Sequence, residues 1–166
     1  MTPYKLRPYT EDELEFIYQT KKDAYKCYVE RFWGPWDEEK QRSFFADFMN
    51  KVQNSLQIIE CDNKHVGIYH GEILDDNTYE IGNVILVPEY QGKGIGKNIL
   101  TNVIKEHPKS KMHLQVFKDN PAINLYKRLD FVVIDETRTH LIMERQVVCN
   151  TRNRSANCLK KTKSYE

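Results

Sequence analysis

The chain has 166 residues, 40% of them hydrophobic and 30% charged, and its 25 Lys/Arg against 24 Asp/Glu give a net charge of +1. Those proportions describe one soluble globular domain with room for a real core. They exclude a membrane-spanning helix, because no apolar run approaches the ~20 residues a bilayer demands.

The predicted elements follow in chain order. Tyr4 to Arg7 reads as a strand stopped by Pro8. Thr10, with Glu13 three residues on, forms a capping box that opens a helix with inner positions Leu14, Ile17, Tyr18, Tyr25 and Tyr28. Gly34-Pro35 breaks the chain, and Asp37 caps a second helix whose buried side is expected to carry Phe44, Phe45, Phe48 and Val52. Leu56 to Cys61 and His65 to Ile73 are strands joined by the turn Asp62-Asn63-Lys64. After Asp75-Asp76-Asn77 a further strand runs from Thr78 to Val87, ended by Pro88. A glycine-rich turn and an amphipathic helix with Ile95, Ile99, Leu100, Val103 and Ile104 follow, ending before Pro108. Met112 to Phe117 is strand-like, a helix starts at Pro121, and strands lie around residues 131–134 and 139–145. The pattern predicts an α/β fold, a mixed sheet with helices against it.

The glycine turn is the most informative segment. Gly92, Gly94 and Gly96 carry no side chain to hold a ligand away from backbone N–H groups that open a helix. Such groups lack intrahelical acceptors and sit at the positive end of the helix dipole, a place to bind phosphate. The bland alternative is a tight strand-to-helix turn that uses glycine only for its backbone angles. The spacing is not that of a P-loop, because Gln91 stands where the first glycine should be and Asn98 follows Lys97. Nor is it G-x-G-x-x-G, because the glycines run G-x-G-x-G.

Gln91-Gly92-Lys93-Gly94-Ile95-Gly96 resembles the pyrophosphate loop of the GNAT family, the acetyl-CoA-dependent N-acetyltransferases. A second block, Asn120-Pro121-Ala122-Ile123-Asn124-Leu125-Tyr126 with Phe131 downstream, is similar to the family's later motif, with Asp130 in place of its usual glycine. The resemblance spans about Tyr4 to Arg145. It implies a GNAT-like, mostly antiparallel sheet flanked by helices, formed by residues 1–147. It also implies that acetyl-CoA is the acetyl donor, with no metal, and that the acceptor is a primary amine: a small molecule, a peptide N-terminus or a lysine.

The same resemblance assigns roles. Gln91, Gly92, Lys93, Gly94, Ile95, Gly96 and Lys97 would hold the pyrophosphate, and backbone groups near Ile85 and Leu86 would pair with the pantetheine arm. Asn120 is either a pantetheine contact or the cap of the helix that follows it. Tyr126 would protonate the leaving thiolate, or else is a core tyrosine. Glu80 would serve as the base, through water, provided no bulge reverses the strand's alternation. In the segment between the first two helices, Tyr28, Trp33 and Trp36 form an aromatic wall for the acceptor or simply pack the helices onto the sheet. Glu30 or Asp37 would hold the amine's cationic head. The alternative to an enzyme is a catalytically weak acyl-CoA-binding regulatory module.

The rest of the chain adds bounds. Cys27, Cys61, Cys149 and Cys158 form no C-x-x-C pair, which argues against zinc and redox motifs. The N-terminus lacks the apolar core of a signal peptide, so a cytoplasmic monomer or homodimer is expected. Residues 148–166 read as a basic tail, possibly disordered. Arg152, Arg154, Lys160, Lys161 and Lys163 stand there against the single acid Glu166. A solvated terminus is the expectation, with nucleic acid not an expected partner.

Overall fold

The computed structural model describes residues 2–147; the predicted basic tail lies outside them. Seven strands form one sheet: β1 (Lys5–Pro8), β2 (Leu56–Cys61), β3 (Lys64–Ile73), β4 (Tyr79–Leu86), β5 (Met112–Phe117), β6 (Val132–Glu136) and β7 (His140–Arg145). Their order is β1-β2-β3-β4-β5-β7-β6. Every neighbouring pair is antiparallel except β4 and β5, which run parallel. Helices α1 (Leu14–Trp33) and α2 (Glu38–Val52) cover one face, and α3 (Ile95–Glu106) with α4 (Ile123–Arg128) covers the other. The fold is the mixed α/β sandwich that the sequence predicts.

Two cores result. Ile17, Met49, Val52, Leu56, Ile58, Ile68 and Ile85 pack beneath α1 and α2. Ile95, Ile99, Leu100 and Val103 of α3 pack against Ile81, Leu114, Val116 and Met143, with Phe131 1% exposed among them. Phe44 departs from expectation: it is 54% exposed, and Met49 is buried in its stead beside the expected Val52, with Phe45 and Phe48 half-buried.

Three local devices place the site. Arg7 binds Glu13 with both terminal nitrogens (2.5 and 3.0 Å), and the same carboxylate accepts the Thr10 N–H at 2.8 Å, fixing the start of α1 to β1. Asp37 caps α2, its Oδ1 accepting the Lys40 N–H at 3.0 Å. Along β4 a bulge falls at Gly82, because Gly71 pairs with Ile81 and His70 with Asn83. Only glycine fits there: a Cβ would stand 2.2 Å from His70 Nδ1.

That bulge reverses the strand's alternation. Tyr79 and Ile81 before it, and Val84 and Leu86 after it, all face the α3 side. Glu80 therefore points to the opposite face from Val84 and Leu86, contrary to the alternation read from sequence.

Candidate active site

β4 and β5 are joined by pairs at Tyr79–Met112, Glu80–His113 and Ile81–Leu114, and no pair follows. Beyond them the strands part. The opening leads into a cleft of 1420 Å³, lined by both strands, the glycine loop, Asn120 to Ala122, Tyr126, and the inner faces of α1 and α2.

Backbone polar groups of successive strand residues point to opposite edges. Val87 donates its N–H to Val66 of β3 at 2.9 Å, and the Ile85 carbonyl lies against Gly67 of β3. Ile85 therefore spends its backbone on β3, and its side chain belongs to the core under α1 and α2. The expected pairing of a ligand arm with Ile85 is corrected: Val84 and Leu86 turn their backbone toward the gap. The Leu86 carbonyl is already engaged, accepting Gln91 Nε2 at 2.8 Å. Gln91 ties the loop to the strand end.

The loop itself presents amides. Gly92 (φ +71°) and Gly94 (φ +83°) adopt the left-handed conformation that other residues resist, and Gly94 starts α3. Asn98 donates its N–H to the carbonyl of Gly94, the N-cap of α3, at 3.0 Å. The amides of Ile95, Gly96 and Lys97 thus open the helix without intrahelical acceptors, at the positive end of its dipole. Gly96 lies between Val84 and Leu125, with room for no more than ordinary contact at a Cβ. Lys93 leans over the Tyr90 ring at 4.6 Å.

Across the gap, Asn120 Oδ1 accepts the Ala122 N–H at 2.9 Å, closing a turn that leads into α4, whose own N-cap is Ala122, and Asn120 also lines the cleft. α4 ends in a Schellman turn: Phe131 N–H bonds the Tyr126 carbonyl and Asp130 N–H the Lys127 carbonyl. Asp130 takes φ +66°, the conformation the family's glycine would adopt. This short, doubly closed helix aims Tyr126 into the cleft, its ring edge-on to Phe131 at 5.9 Å. Burial raises the Tyr126 hydroxyl to about 12, and it has no hydrogen-bond partner among the described residues. Tyr25 lies close by, its phenol accepting Asn83 Nδ2 at 2.9 Å.

The other predicted residues divide. Tyr28, Trp33 and Trp36 line the cleft. Tyr28 stacks on Phe117 at 4.5 Å, and Trp33, 56% exposed, meets the same ring edge-on at 6.4 Å. Trp36 donates Nε1–H to Glu38 at 2.8 Å. Glu30 does not line the cleft; it faces Lys26 at 3.8 Å on the exposed side of α1, so the acidic clamp is corrected. Asp37 is occupied in capping α2. Glu80 is also outside the lining: it pairs with His113 below the point where the strands part. Sequence reading missed Tyr25, Asn83, Lys21 and His140, all of which line the cleft. Only the helical spacing of Lys21, Tyr25 and Tyr28 hints at the first and third.

The Acetyltransferase (GNAT) family model matches residues 14–131. The chain belongs to the GNAT acetyltransferase family. Its members are acyltransferase enzymes that use acetyl-CoA, and this GNAT chain is similar to named relatives. It is 29% identical over 146 residues to the spermidine N(1)-acetyltransferase of Escherichia coli K12, covering 80% of this chain and 74% of that protein. It is 27% identical over 109 residues to a Bacillus subtilis protein named as a putative ribosomal protein bS18-alanine N-acetyltransferase, covering 63% and 70%. Its fold matches the PaiA N-acetyltransferase of Thermoplasma acidophilum, solved with coenzyme A, at TM-score 0.65 and 20% identity over 87% of this chain and 99% of that one. Among the described residues no helix is long and apolar enough to cross a membrane, and no group of His, Cys, Asp or Glu is arranged to hold a metal.

Proposed function

We propose that this GNAT chain moves an acetyl group from acetyl-CoA to a primary amine by direct attack, with both substrates in the cleft at once. The observation that carries the reading is the placement of an unpartnered Tyr126 hydroxyl in the same cleft as the free amides of the glycine loop. A site for binding alone has no use for that hydroxyl. The named relatives support an amine acceptor, since one name specifies spermidine and the other an alanine N-acetyltransferase.

Acetyl-CoA supplies an activated thioester, so the protein's work is binding, positioning and the handling of charge. The amides of Gly92 to Lys97 would hold the pyrophosphate, with Lys93 and Lys97 adding positive charge. Val84 and Leu86 would offer their gap-facing backbone groups to the pantetheine arm. Tyr126 would donate a hydrogen bond to the departing sulfur. With burial raising its hydroxyl to about 12, Tyr126 holds its proton more tightly than a free phenol, so complete proton transfer to the departing thiolate would run uphill. Tyr126 is therefore proposed as a hydrogen-bonding stabiliser of developing negative charge, a role that needs no full transfer.

The amine's proton leaves through water at the open side of the cleft. Glu80 is not adjacent to that route, being paired with His113 outside the lining. Tyr28, Trp33 and Trp36 would cover the acceptor's carbon body. The test is a panel of primary amines with acetyl-CoA, following free thiol release with a chromogenic disulfide and acetyl-amine by mass. Thiol release matched by N-acetylated product supports the reading. CoA binding with no amine acetylated would reduce the site to a binding module.

A further inference from the structure

The acceptor half of the cleft carries a cation without a counter-ion. Lys21, on the inner face of α1, lines the cleft with its ammonium 3.8 Å from the centroid of the Phe48 ring and 5.1 Å from that of Tyr25. It takes part in no ion pair among the described residues, whereas its neighbour Lys22 is matched by Glu38 at 2.8 Å. The rings offset part of the cost of burying the charge. Burial alone depresses Lys21 to about 8, and no carboxylate acts on it.

The groups around Lys21 confirm the sign of this corner. His70 is buried with its Nε2 unbonded, and its pKa is lowered chiefly by that burial, with Lys21 adding to the effect and Glu72 opposing it. Glu72 sits 3.9 Å from that Nε2 and is half exposed. The other charged side chains that line the acceptor half are Lys22, Lys40 and Asp23, and Asp23 is exposed and bonded to Gln19. With Glu30 outside the cleft and Asp37 capping α2, exposed Asp23 is the one carboxylate among the described residues that line the cleft. A polyamine would bring like charge to like charge.

Resting on the acetyltransferase reading above, we infer that the acceptor is a small amine that also bears a carboxylate, an amino acid or its close analogue, and that Lys21 selects it by pairing with that carboxylate. The pair would form against Phe48 and Tyr25, in surroundings that strengthen a charged hydrogen bond. The acceptor's side chain would then lie along Tyr28, Trp33 and Phe45. Lys21 is thus a specificity residue, separate from the machinery that holds CoA.

The test compares matched acceptors that differ by the carboxylate alone: phenylalanine with phenethylamine, leucine with isoamylamine, lysine with cadaverine. Phosphoethanolamine against ethanolamine asks whether phosphate serves in its place, and spermidine represents a purely cationic acceptor. The full chain should favour the carboxylate member of at least one pair by about tenfold or more in kcat/KM, with spermidine poor. Lys21→Met keeps length and packing, so it should erase that preference while moving the KM for acetyl-CoA less than twofold. Lys21→Arg should retain it. Calorimetry in the presence of CoA should show N-acetylphenylalanine binding more tightly than N-acetylphenethylamine, and Lys21→Met abolishing the difference. Preference for the decarboxylated amines or spermidine, for phosphoethanolamine alone, or a carboxylate preference unchanged in Lys21→Met would overturn the inference. CoA binding with no amine acetylated would instead bring down the reading beneath it.

Discussion

The two ends of the cleft are made of different material. At the glycine-loop end the groups that face a ligand are backbone amides: those of Gly92 to Lys97 and the gap-facing edge of β4. At the helical end they are side chains, from Lys21, Tyr25, Tyr28 and Trp33 on α1 to Phe45 and Phe48 on α2. A backbone site recognises a constant ligand, because its geometry is set by φ, ψ and strand register. A side-chain site can be changed one residue at a time with the fold intact. Tyr126 stands where the two ends meet.

The largest effect on activity should come from that junction. Tyr126→Phe removes one hydroxyl that has no partner among the described residues, so folding should be untouched. We expect kcat to fall roughly ten- to a thousandfold with the KM for acetyl-CoA nearly constant. Steady-state kinetics varying each substrate in turn would separate the two, and an unchanged kcat would return Tyr126 to a packing role.

The helical end depends on α1 being anchored, and the anchor is Glu13. Its carboxyl is 4% exposed and held at about 2 instead of 4.5, chiefly by hydrogen bonds from Arg7. A carboxylate depressed in the folded state contributes stability that is complete above pH 4.5 and is lost as pH falls through about 2. The shift corresponds to about 3 kcal/mol at neutral pH. Glu13→Gln should lower the urea midpoint at pH 7 by a corresponding amount, and the gap from wild type should close as pH is lowered from 4.5 toward 2. A gap independent of pH would mean that the substitution acts through packing, not charge.

How much of this could be read beforehand follows the same division. Glycines announce a backbone site, so Gly92, Gly94 and Gly96 located the loop, and Pro88 located the strand end. The Asp130 substitution was legible because a left-handed position after a helix restricts the choice of residue, and φ +66° agrees. The acceptor wall was only partly legible. Lys21 and His70 come from α1 and β3, and sequence does not show that the ring of Phe48 brings a neighbour to the lysine. Glu80 was misread for one reason: a bulge at Gly82 inverts the parity of β4, and the signal for it, a glycine under a buried histidine, requires knowing that His70 lies across the ladder. Ile85 was misassigned because hydrogen-bonding edge, unlike side-chain face, leaves no trace in hydropathy.

The smallest effect sharpens that correction. Glu80→Gln should change kcat/KM less than about threefold and leave a pH profile parallel to wild type, since direct proton transfer needs hydrogen-bond reach. A loss concentrated at low pH would restore Glu80 as a relay through water.

The division between a backbone end and a side-chain end is tested most directly by titrating CoA into Gly96→Val and Trp33→Ala beside the wild type. Gly96 is helical and a Cβ there would sit 3.8 Å from Val84, so valine should fold while standing in the cleft. The account predicts micromolar CoA binding by wild type and by Trp33→Ala, and binding weakened at least tenfold in Gly96→Val. Wild-type affinity in a folded Gly96→Val, or loss of CoA in Trp33→Ala, would contradict it.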